Sequence, residues 1–233
     1  MSRLVRLILF VSLVPILLFP AYQPSGLYNE IITDKKEVAL TFDDGPLPDV
    51  TEAILDILDQ YKVKATFFII GTNILKYPYL VEKIYFAGHE VGNHTYHHLR
   101  LDTFPEYKLK YELEETNQLM ENIIGITPKY FRPPGGRFNN IILSLVNERN
   151  LIPVGWSINT SDFLYGKKTL TGPELDQKVE AILNLIHLRL KPGAIILMHN
   201  GNDVSIKALP QVLSYIKEQG YTIKKLSDVK LKY

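Results

Sequence analysis

The stretch EVALTFDDGP, Glu37–Pro46, decides the fold of this chain. Residues 38–42 are apolar or β-branched and alternate between the two faces of an extended backbone, which predicts a buried β-strand. The glycine and proline that follow end the strand. Two adjacent carboxylates, Asp43 and Asp44, therefore lie at the C-terminal end of a buried strand, where α/β folds place their chemistry.

Predicted strands and helices alternate after this stretch. Further strands are predicted at residues 64–70, 90–93, 129–131, 152–158, 193–197 and 221–223. Helices are predicted at residues 51–61, 78–88, 105–124, 139–147, 171–190 and 206–218. This alternation is typical of a parallel α/β sheet, either open or closed into a barrel. We expect one domain over residues 37–233, with residues 22–36 as a linker or lead-in.

The composition describes an ordinary globular protein of 233 residues, with 46% hydrophobic and 22% charged residues. The formal net charge of +1 gives no indication of a nucleic-acid partner. The chain contains no cysteine, which excludes disulfides, thiolate metal sites and a cysteine nucleophile. We expect a monomer.

The first 21 residues have the pattern of an export segment. Arg3 and Arg6 precede an apolar run over residues 7–19 that is interrupted only by Ser12 and Pro15. This pattern is typical of a secretory signal peptide and is shorter than an ordinary membrane span. A cleaved signal and an uncleaved anchor through residues 4–20 both fit it. In either case we expect the protein to be secreted or anchored to the outer face of the cytoplasmic membrane.

Polar side chains cluster at the ends of successive predicted strands. Because the C-terminal ends of parallel strands meet on one face of the sheet, these clusters should converge on one site. In chain order the clusters are Asp43 and Asp44, His94 and His98, Arg132, Asn159 and Asp162, and finally His199.

The spacing of two histidines suggests a metal site. His94 and His98 are four residues apart, so on one helical turn they would face the same way and could chelate an ion. One carboxylate added to two imidazoles makes a three-ligand site with an open position for water, and a second carboxylate could act as a base. The alternatives are surface histidines and a plain Asp-Asp-Gly-Pro turn without chemistry. His97, between the two, is expected to be a packing or hydrogen-bonding residue.

The order of these clusters resembles a known family. Five segments are similar to the ordered motifs of the NodB-like polysaccharide deacetylases, carbohydrate esterase family 4. They are Thr41-Phe42-Asp43-Asp44-Gly45-Pro46, His94-Thr95-x-x-His98, Arg132-Pro133-Pro134-Gly135-Gly136, Trp156-Ser157-x-Asn159-x-x-Asp162 and Leu197-x-His199. The resemblance covers residues 37–229.

The resemblance implies a distorted (β/α) barrel that removes N-acetyl groups from amino sugars. Asp44, His94 and His98 would bind a divalent metal, most often zinc, with Co²⁺, Ni²⁺ and Fe²⁺ as alternatives. The partner would be a glycan of the cell envelope that carries N-acetylated amino sugars, such as peptidoglycan or a polymer or oligomer of N-acetylglucosamine.

The resemblance also implies catalytic roles. Asp43 would be the base and His199 the acid, while Arg132 would hold Asp43. The backbone N–H near Gly135 would help to bind the oxyanion. A histidine suits the acid role because it titrates near neutral pH.

Three positions depart from the family's pattern. Asn159 is expected among the catalytic residues, orienting His199, and it stands where the family usually has the aspartate that orients and charges the acid histidine. The acid could therefore be weaker, Asp162 could take over this role, or the protein could be a non-catalytic glycan binder. Phe163 replaces a tryptophan and still offers an apolar wall for a sugar or an acetyl methyl. Together with Asp162 and Leu197, it is expected among the substrate-facing residues. Gly135 replaces a tyrosine, which removes a bulky wall of the groove.

One competing function uses the carboxylates alone. A glycoside hydrolase needs two carboxylates about 5–9.5 Å apart across a sugar, and neighbouring Asp43 and Asp44 would have to share one side of it. It would also leave the histidine pair without a role.

Overall fold

Strands and helices alternate in this computed structural model, which describes residues 26–165, 170–201 and 203–232. The strands are β1 (Glu30–Ile32), β2 (Glu37–Gly45), β3 (Thr66–Ile69), β4 (Glu90–Asn93), β5 (Tyr130–Phe131), β6 (Ile152–Pro153), β7 (Ile158–Asn159), β8 (Ile195–His199), β9 (Thr222–Lys224) and β10 (Lys230–Lys232). The helices are α1 (Val50–Gln60), α2 (Gly71–Lys76), α3 (Pro78–Phe86), α4 (Glu106–Ile124), α5 (Asn140–Glu148), α6 (Gly172–Arg189) and α7 (Asp203–Glu218).

The stretch that decides the fold forms β2, the strand on which the main sheet is built. Residues 38–42 are fully buried on both faces. β2 pairs in parallel with β3 on one side and with β8 on the other, and its first residues also pair with β9. One face packs on the helices and the other lies inside the curled sheet, so the strand is covered on both faces and needs such a continuous run without charge. The predicted parallel α/β sheet is therefore confirmed.

The main sheet is curled, and its two end strands do not pair with each other in the part of the chain that the structure describes. The strand order is β6-β5-β4-β3-β2-β8-β7, and no pairing joins β6 to β7 within the described residues. The single strand predicted at residues 152–158 is wrong, because it is split into these two end strands. A Cβ on Gly155, between them, would lie 2.1 Å from the Asn29 side-chain oxygen, so the chain passes too close here for a side chain.

The segment before β2 belongs to the fold rather than to a linker. β1 pairs with β10 in a small antiparallel sheet, and Ile31 is 3% exposed. Upstream of β1, Tyr28 bridges to Val154, and its carbonyl oxygen accepts a hydrogen bond from the N–H of Gly155. The lead-in expected at residues 22–36 thus contributes backbone pairing from Tyr28 onward and lies beside the open edge of the sheet.

The helices pack on the sheet through apolar side chains. The largest core cluster joins α1, α6 and α7 to the strands, and a smaller one joins α4 and α5 to β5. Residues 38–42 of β2 are buried and carry no charge. The carboxylates of Asp43 and Asp44 follow them at the C-terminal end of the strand, which is where the site forms.

The export segment expected at residues 1–21 lies outside the described residues. Among the helices that the structure does describe, none combines the length and the hydropathy needed to cross a bilayer.

Candidate metal centre and active site

The two adjacent carboxylates reach the same site because the end of β2 is irregular. In a regular strand neighbouring side chains point to opposite faces. Asp44 has a φ of 75°, and the register of β2 against β3 shifts between Asp43 and Gly45. Asp is one of the few residues that adopt this left-handed conformation at modest cost. The side chain of Asn73 holds it, donating to the Asp44 carbonyl at 2.9 Å.

The two histidines of the second cluster lie in a loop rather than on a helix. His94 directly follows β4, and the backbone then turns through left-handed conformations at Thr95 (φ 68°) and His98 (φ 57°). The prediction that a helical turn aligns the histidines is therefore wrong. The loop brings them together instead, with the imidazole centroids 4.9 Å apart, and the N–H of His98 donates to Thr95 Oγ1 at 3.0 Å.

A buried glutamate on α4 anchors this loop. Glu112 Oε2 accepts hydrogen bonds from the N–H groups of Tyr96 (2.9 Å) and His97 (2.8 Å), and its Oε1 lies 2.7 Å from His97 Nδ1. His97 is thus the hydrogen-bonding residue that was expected. Sequence reasoning missed Glu112. The signal was a carboxylate on the apolar face of α4 beside Leu113, because such a position needs a compensating partner.

The arrangement of Asp44, His94 and His98 fits a metal ion. One ligand atom from each lies within 4.8 Å of the others. Asp44 Oδ1 is 3.4 Å from His94 Nε2 and 3.2 Å from His98 Nε2, yet this buried oxygen has no hydrogen-bond partner. Lone pairs that converge without hydrogen bonds are the donor set that a divalent ion satisfies.

The backbone fixes the ring of His94 for this role. Its Nδ1 lies 2.7 Å from the carbonyl oxygen of Arg132, which can only accept, so Nδ1 carries the proton and Nε2 faces Asp44. A hydrogen bond from the second ring nitrogen to a backbone carbonyl is typical of histidines that bind metals through the first.

Burial and neighbouring charges shift the pKa values of Asp44, His94 and His98 in different directions. Burial raises the pKa of Asp44, but the nearby imidazoles, His94 above all, outweigh it and hold the pKa at about 2. Burial lowers the pKa of His94, but the carboxylates of Asp43 and Asp44 raise it above its ordinary value. Burial and the charge of His94 lower the pKa of His98. Asp44 is therefore an anion at neutral pH, and an arriving metal ion competes with protons on His94.

Asp43 is held by a fully buried arginine. Arg132 Nη1 donates to Asp43 Oδ1 at 2.7 Å and to Thr41 Oγ1 at 2.9 Å, and Nη2 donates to the Gly155 carbonyl at 2.7 Å. The expected contact between Arg132 and Asp43 is thus present. The other oxygen of Asp43, Oδ2, lies 3.6 Å from His94 Nε2. Both carboxylates approach the same imidazole nitrogen, so they do not flank a sugar as a glycoside hydrolase requires.

The carboxylate partner of His199 is Asp162 and not the residue at position 159. His199 Nδ1 lies 2.7 Å from Asp162 Oδ1, and its backbone N–H donates to Asp162 Oδ2 at 2.8 Å. Asn159 instead accepts a hydrogen bond from the N–H of Ser161. The orienting role expected of Asn159 is therefore wrong for this contact, and so is the placement of Asp162 among the substrate-facing residues. The alternative in which Asp162 takes over matches the geometry.

Asp162 also sets the charge of the acid histidine. Burial lowers the pKa of His199, but the hydrogen bond to Asp162 and its charge outweigh burial and raise the pKa above the ordinary value. An uncharged residue at position 159 therefore does not leave His199 without a negative partner, because Asp162 supplies that charge three residues later.

One pocket of about 210 Å³ contains these groups. Its polar lining is Asp43, Asp44, His94, His98, Asn159 and His199, and its other lining residues are Gly135, Trp156, Phe163 and Leu197. The Phe163 ring lies 5.0 Å from that of His199. Trp156, the only tryptophan of the chain, is a wall residue to which the sequence reasoning gave no role, although it begins the fourth motif.

Known proteins share both the sequence pattern and the fold. The family model for polysaccharide deacetylase matches residues 30–153. A Bacillus cereus protein named peptidoglycan-N-acetylglucosamine deacetylase is 36% identical over 211 residues, which cover 89% of this chain and 94% of that protein.

Two similar crystal structures carry opposite descriptions. The Bc1960 peptidoglycan N-acetylglucosamine deacetylase superposes with a TM-score of 0.79 and 33% identity, over 87% of this chain and 91% of its own. BA3943 of Bacillus anthracis, described as a CE4 family pseudoenzyme, gives a TM-score of 0.77 and 26% identity, over 86% of this chain and 67% of its own. The fold alone therefore does not decide activity, and the site residues must.

Proposed function

Because the chain belongs to the polysaccharide deacetylase family, we propose that it is a metal-dependent hydrolase of N-acetyl groups on amino sugars of a cell-envelope glycan. One observation carries this proposal. A single pocket holds a three-ligand metal cluster, a second carboxylate beside it and an imidazole backed by its own carboxylate. Metal-dependent amide hydrolysis uses all three parts, as the metal, the base and the acid.

Asp44, His94 and His98 would hold the ion. A bound divalent ion supplies Lewis acidity towards the amide carbonyl and lowers the pKa of water from 15.7 to about 7. The three-ligand set with two imidazoles suits zinc, although Co²⁺, Ni²⁺ and Fe²⁺ accept the same ligands.

Asp43 and His199 divide the proton transfers. Arg132 donates a hydrogen bond to Oδ1 of Asp43, whereas Oδ2 faces the metal cluster. Oδ2 is therefore the oxygen that would take a proton from the attacking water. His199 presents Nε2 to the pocket because Nδ1 is bound to Asp162, and it gives its proton to the leaving amine. Gly135 lines the same pocket, and the backbone N–H near it would donate to the developing oxyanion.

The substrate follows from the chemistry of the pocket and from the relatives. Phe163 and Leu197 form an apolar wall that suits an acetyl methyl. The Bacillus cereus relative is named for peptidoglycan and N-acetylglucosamine, which supports the same sugar here. The export pattern of residues 3–19 supports action outside the cytoplasmic membrane, which cell fractionation with an antibody to the chain would test.

Acetate release tests the proposal. Purified protein is depleted of metal, reloaded with zinc and incubated with oligomers of N-acetylglucosamine and with peptidoglycan. We expect acetate only from the reloaded protein, and none from a reloaded Asp43→Asn variant. If the reloaded protein binds these oligomers but releases no acetate, the protein is a pseudoenzyme of this family and the proposed hydrolysis is wrong.

A further inference from the structure

Two buried polar residues outside the pocket contact the turn that carries both carboxylates. Asn200 directly follows His199 at the end of β8, and Thr51 lies in the first turn of α1. Both are fully buried, and neither lines the pocket. Because buried polar side chains almost always have hydrogen-bond partners, the partners of these two indicate what they hold.

Asn200 contacts the turn at its beginning and at its middle. The backbone N–H of Asn200 donates a hydrogen bond to the carbonyl oxygen of Asp43 at 2.7 Å. Its side-chain amide packs on Gly45, because a Cβ built on that glycine would lie 2.4 Å from Asn200 Nδ2. A side chain at position 45 would therefore displace the amide. Asp44, the candidate metal ligand, lies between these two contacts.

Thr51 joins the same amide to the far end of the turn. Its Oγ1 accepts hydrogen bonds from the N–H of Leu47 at 2.8 Å and from Asn200 Nδ2 at 2.9 Å. The hydroxyl also donates to Asn200 Oδ1 at 3.2 Å. Thr51 and Asn200 together therefore hold residues 43–47 at both ends, and we call this pair the clamp.

The clamp also connects the turn to the strand end that carries the acid histidine. Asn200 and His199 are neighbours in the chain, and His199 pairs with Asp43 in the register of β8 against β2. A change in the clamp would therefore move the candidate base and the candidate metal ligand relative to the acid.

We propose that Thr51 and Asn200 are positioning residues, which hold Asp43 and Asp44 where the base and the metal ligand must be. They act through the backbone of the turn and not by contact with the reacting atoms. This inference rests on the proposed function for the roles of the two carboxylates. A loosened turn would carry Asp44 away from the two imidazoles, and it would misplace Asp43 even with the metal bound.

Thr51→Val tests the clamp, because valine keeps the shape of threonine and removes the hydroxyl. The N–H of Leu47 and the amide of Asn200 then lose their common partner. We expect zinc affinity, measured by equilibrium dialysis of metal-depleted protein, to fall about tenfold. We expect kcat at saturating zinc to stay about tenfold below wild type, because zinc does not return the base to its place. Thr51→Ser keeps the hydroxyl and should restore both quantities.

Thr66→Val is the matched control. Thr66 is equally buried, and its Oγ1 also donates to a side-chain oxygen, that of Glu90, and accepts from a backbone N–H, that of Leu226. It begins β3, whereas the site lies at the C-terminal ends of the strands. Thr66→Val should lower thermal stability about as much as Thr51→Val does, but it should keep the wild-type zinc affinity and kcat.

A second variant opens the clamp from the side of β8. Asn200→Ala removes the amide and should show the same loss of zinc affinity and kcat as Thr51→Val. It decides the question if Thr51→Val does not fold.

The outcomes separate the clamp from the proposed function. A fall in zinc affinity in Thr51→Val or Asn200→Ala, absent in Thr66→Val, supports the clamp even if the wild-type protein releases no acetate. Wild-type zinc affinity in the clamp variants overturns it even if acetate is released. An equal loss in Thr66→Val also overturns it, because stability alone would then explain the effect. A kcat that excess zinc restores in full overturns it as well, since the clamp contacts Asp43 directly.

Discussion

The metal cluster and the acid histidine line one pocket, and a buried carboxylate supports each of them in a different way. Glu112 binds the N–H groups of Tyr96 and His97, and so holds the backbone of the loop that carries His98. Asp162 binds the imidazole of His199 itself as well as its backbone N–H. One carboxylate therefore acts on the position of a ligand, and the other acts on the charge of an acid.

The difference has a measurable consequence. A carboxylate that touches neither imidazole of the metal cluster cannot greatly change the protonation of a ligand, but it can change how well the ligands converge. A carboxylate that shares a proton with an imidazole changes its pKa directly. Variants on the metal side should therefore change metal affinity, whereas variants on the acid side should change the pH profile at unchanged metal content.

Breaking the metal cluster should have the largest effect. His94→Gln removes one of three ligands, because the amide that replaces the buried imidazole is a much weaker ligand for zinc. We expect zinc affinity to fall by more than the ~100-fold that supporting residues can cost, and acetate release to fall to background. Equilibrium dialysis with zinc measures the first effect. His187→Gln is the control, because His187 is exposed on α6. A zinc affinity within a fewfold of wild type in His94→Gln would contradict the assigned ligand set.

Removing the charge behind the acid should have the next largest effect. In Asp162→Asn the imidazolium of His199 loses its partner, so the pKa of His199 falls from its raised value. The acid must be protonated to act, so activity is lost as pH rises through this pKa. We expect the alkaline limb of kcat/KM to move to lower pH, with a loss of roughly 10–100-fold above neutrality.

The control for Asp162→Asn is its metal content. Zinc affinity should match wild type, because Asp162 touches His199 and not the ligand atoms. An alkaline limb that stays in place would show that His199 is not the group that limits the rate at high pH.

Loosening the loop should have a smaller effect that more metal can reverse. Glu112→Gln keeps an oxygen for the N–H groups of Tyr96 and His97 but loses the charge that strengthens both hydrogen bonds. We expect zinc affinity to fall about tenfold, while kcat at saturating zinc stays within about twofold of wild type. Glu115→Gln, at an exposed position of the same helix, should change neither. A loss of kcat that excess zinc does not restore would count against this positioning role.

The strands and the polar clusters at their ends could be predicted from the sequence because both follow from short-range patterns. Five apolar or β-branched residues before two aspartates were enough to predict β2. The alternation of predicted strands and helices was enough to predict the parallel sheet. The order of the motifs was sufficient to bring Asp44, His94 and His98 together as candidate ligands.

The errors concern contacts that depend on backbone irregularity and distance. The left-handed turns at Thr95 and His98 are not visible in a four-residue spacing, which fits a helix equally well. The contact of Glu112 with His97 joins a loop to a helix 15 residues away. Positions 159 and 162 both carry a polar side chain after one strand, and only the path of the backbone decides which of them reaches His199.

The smallest expected effect sharpens the acid side of the comparison. Asn159→Asp places a new carboxylate on the rim of the same pocket, on the strand next to Leu197. If proximity alone raised the pKa of His199, this variant would move the alkaline limb of kcat/KM upwards. We expect a shift of less than about half a pH unit, because a partly exposed charge is screened and Asp162 already holds Nδ1. The pH profiles of kcat/KM for Asn159→Asp and Asp162→Asn, measured in parallel, test this expectation. A larger upward shift in Asn159→Asp would mean that the charge of the acid is set by the whole rim and not by one hydrogen bond.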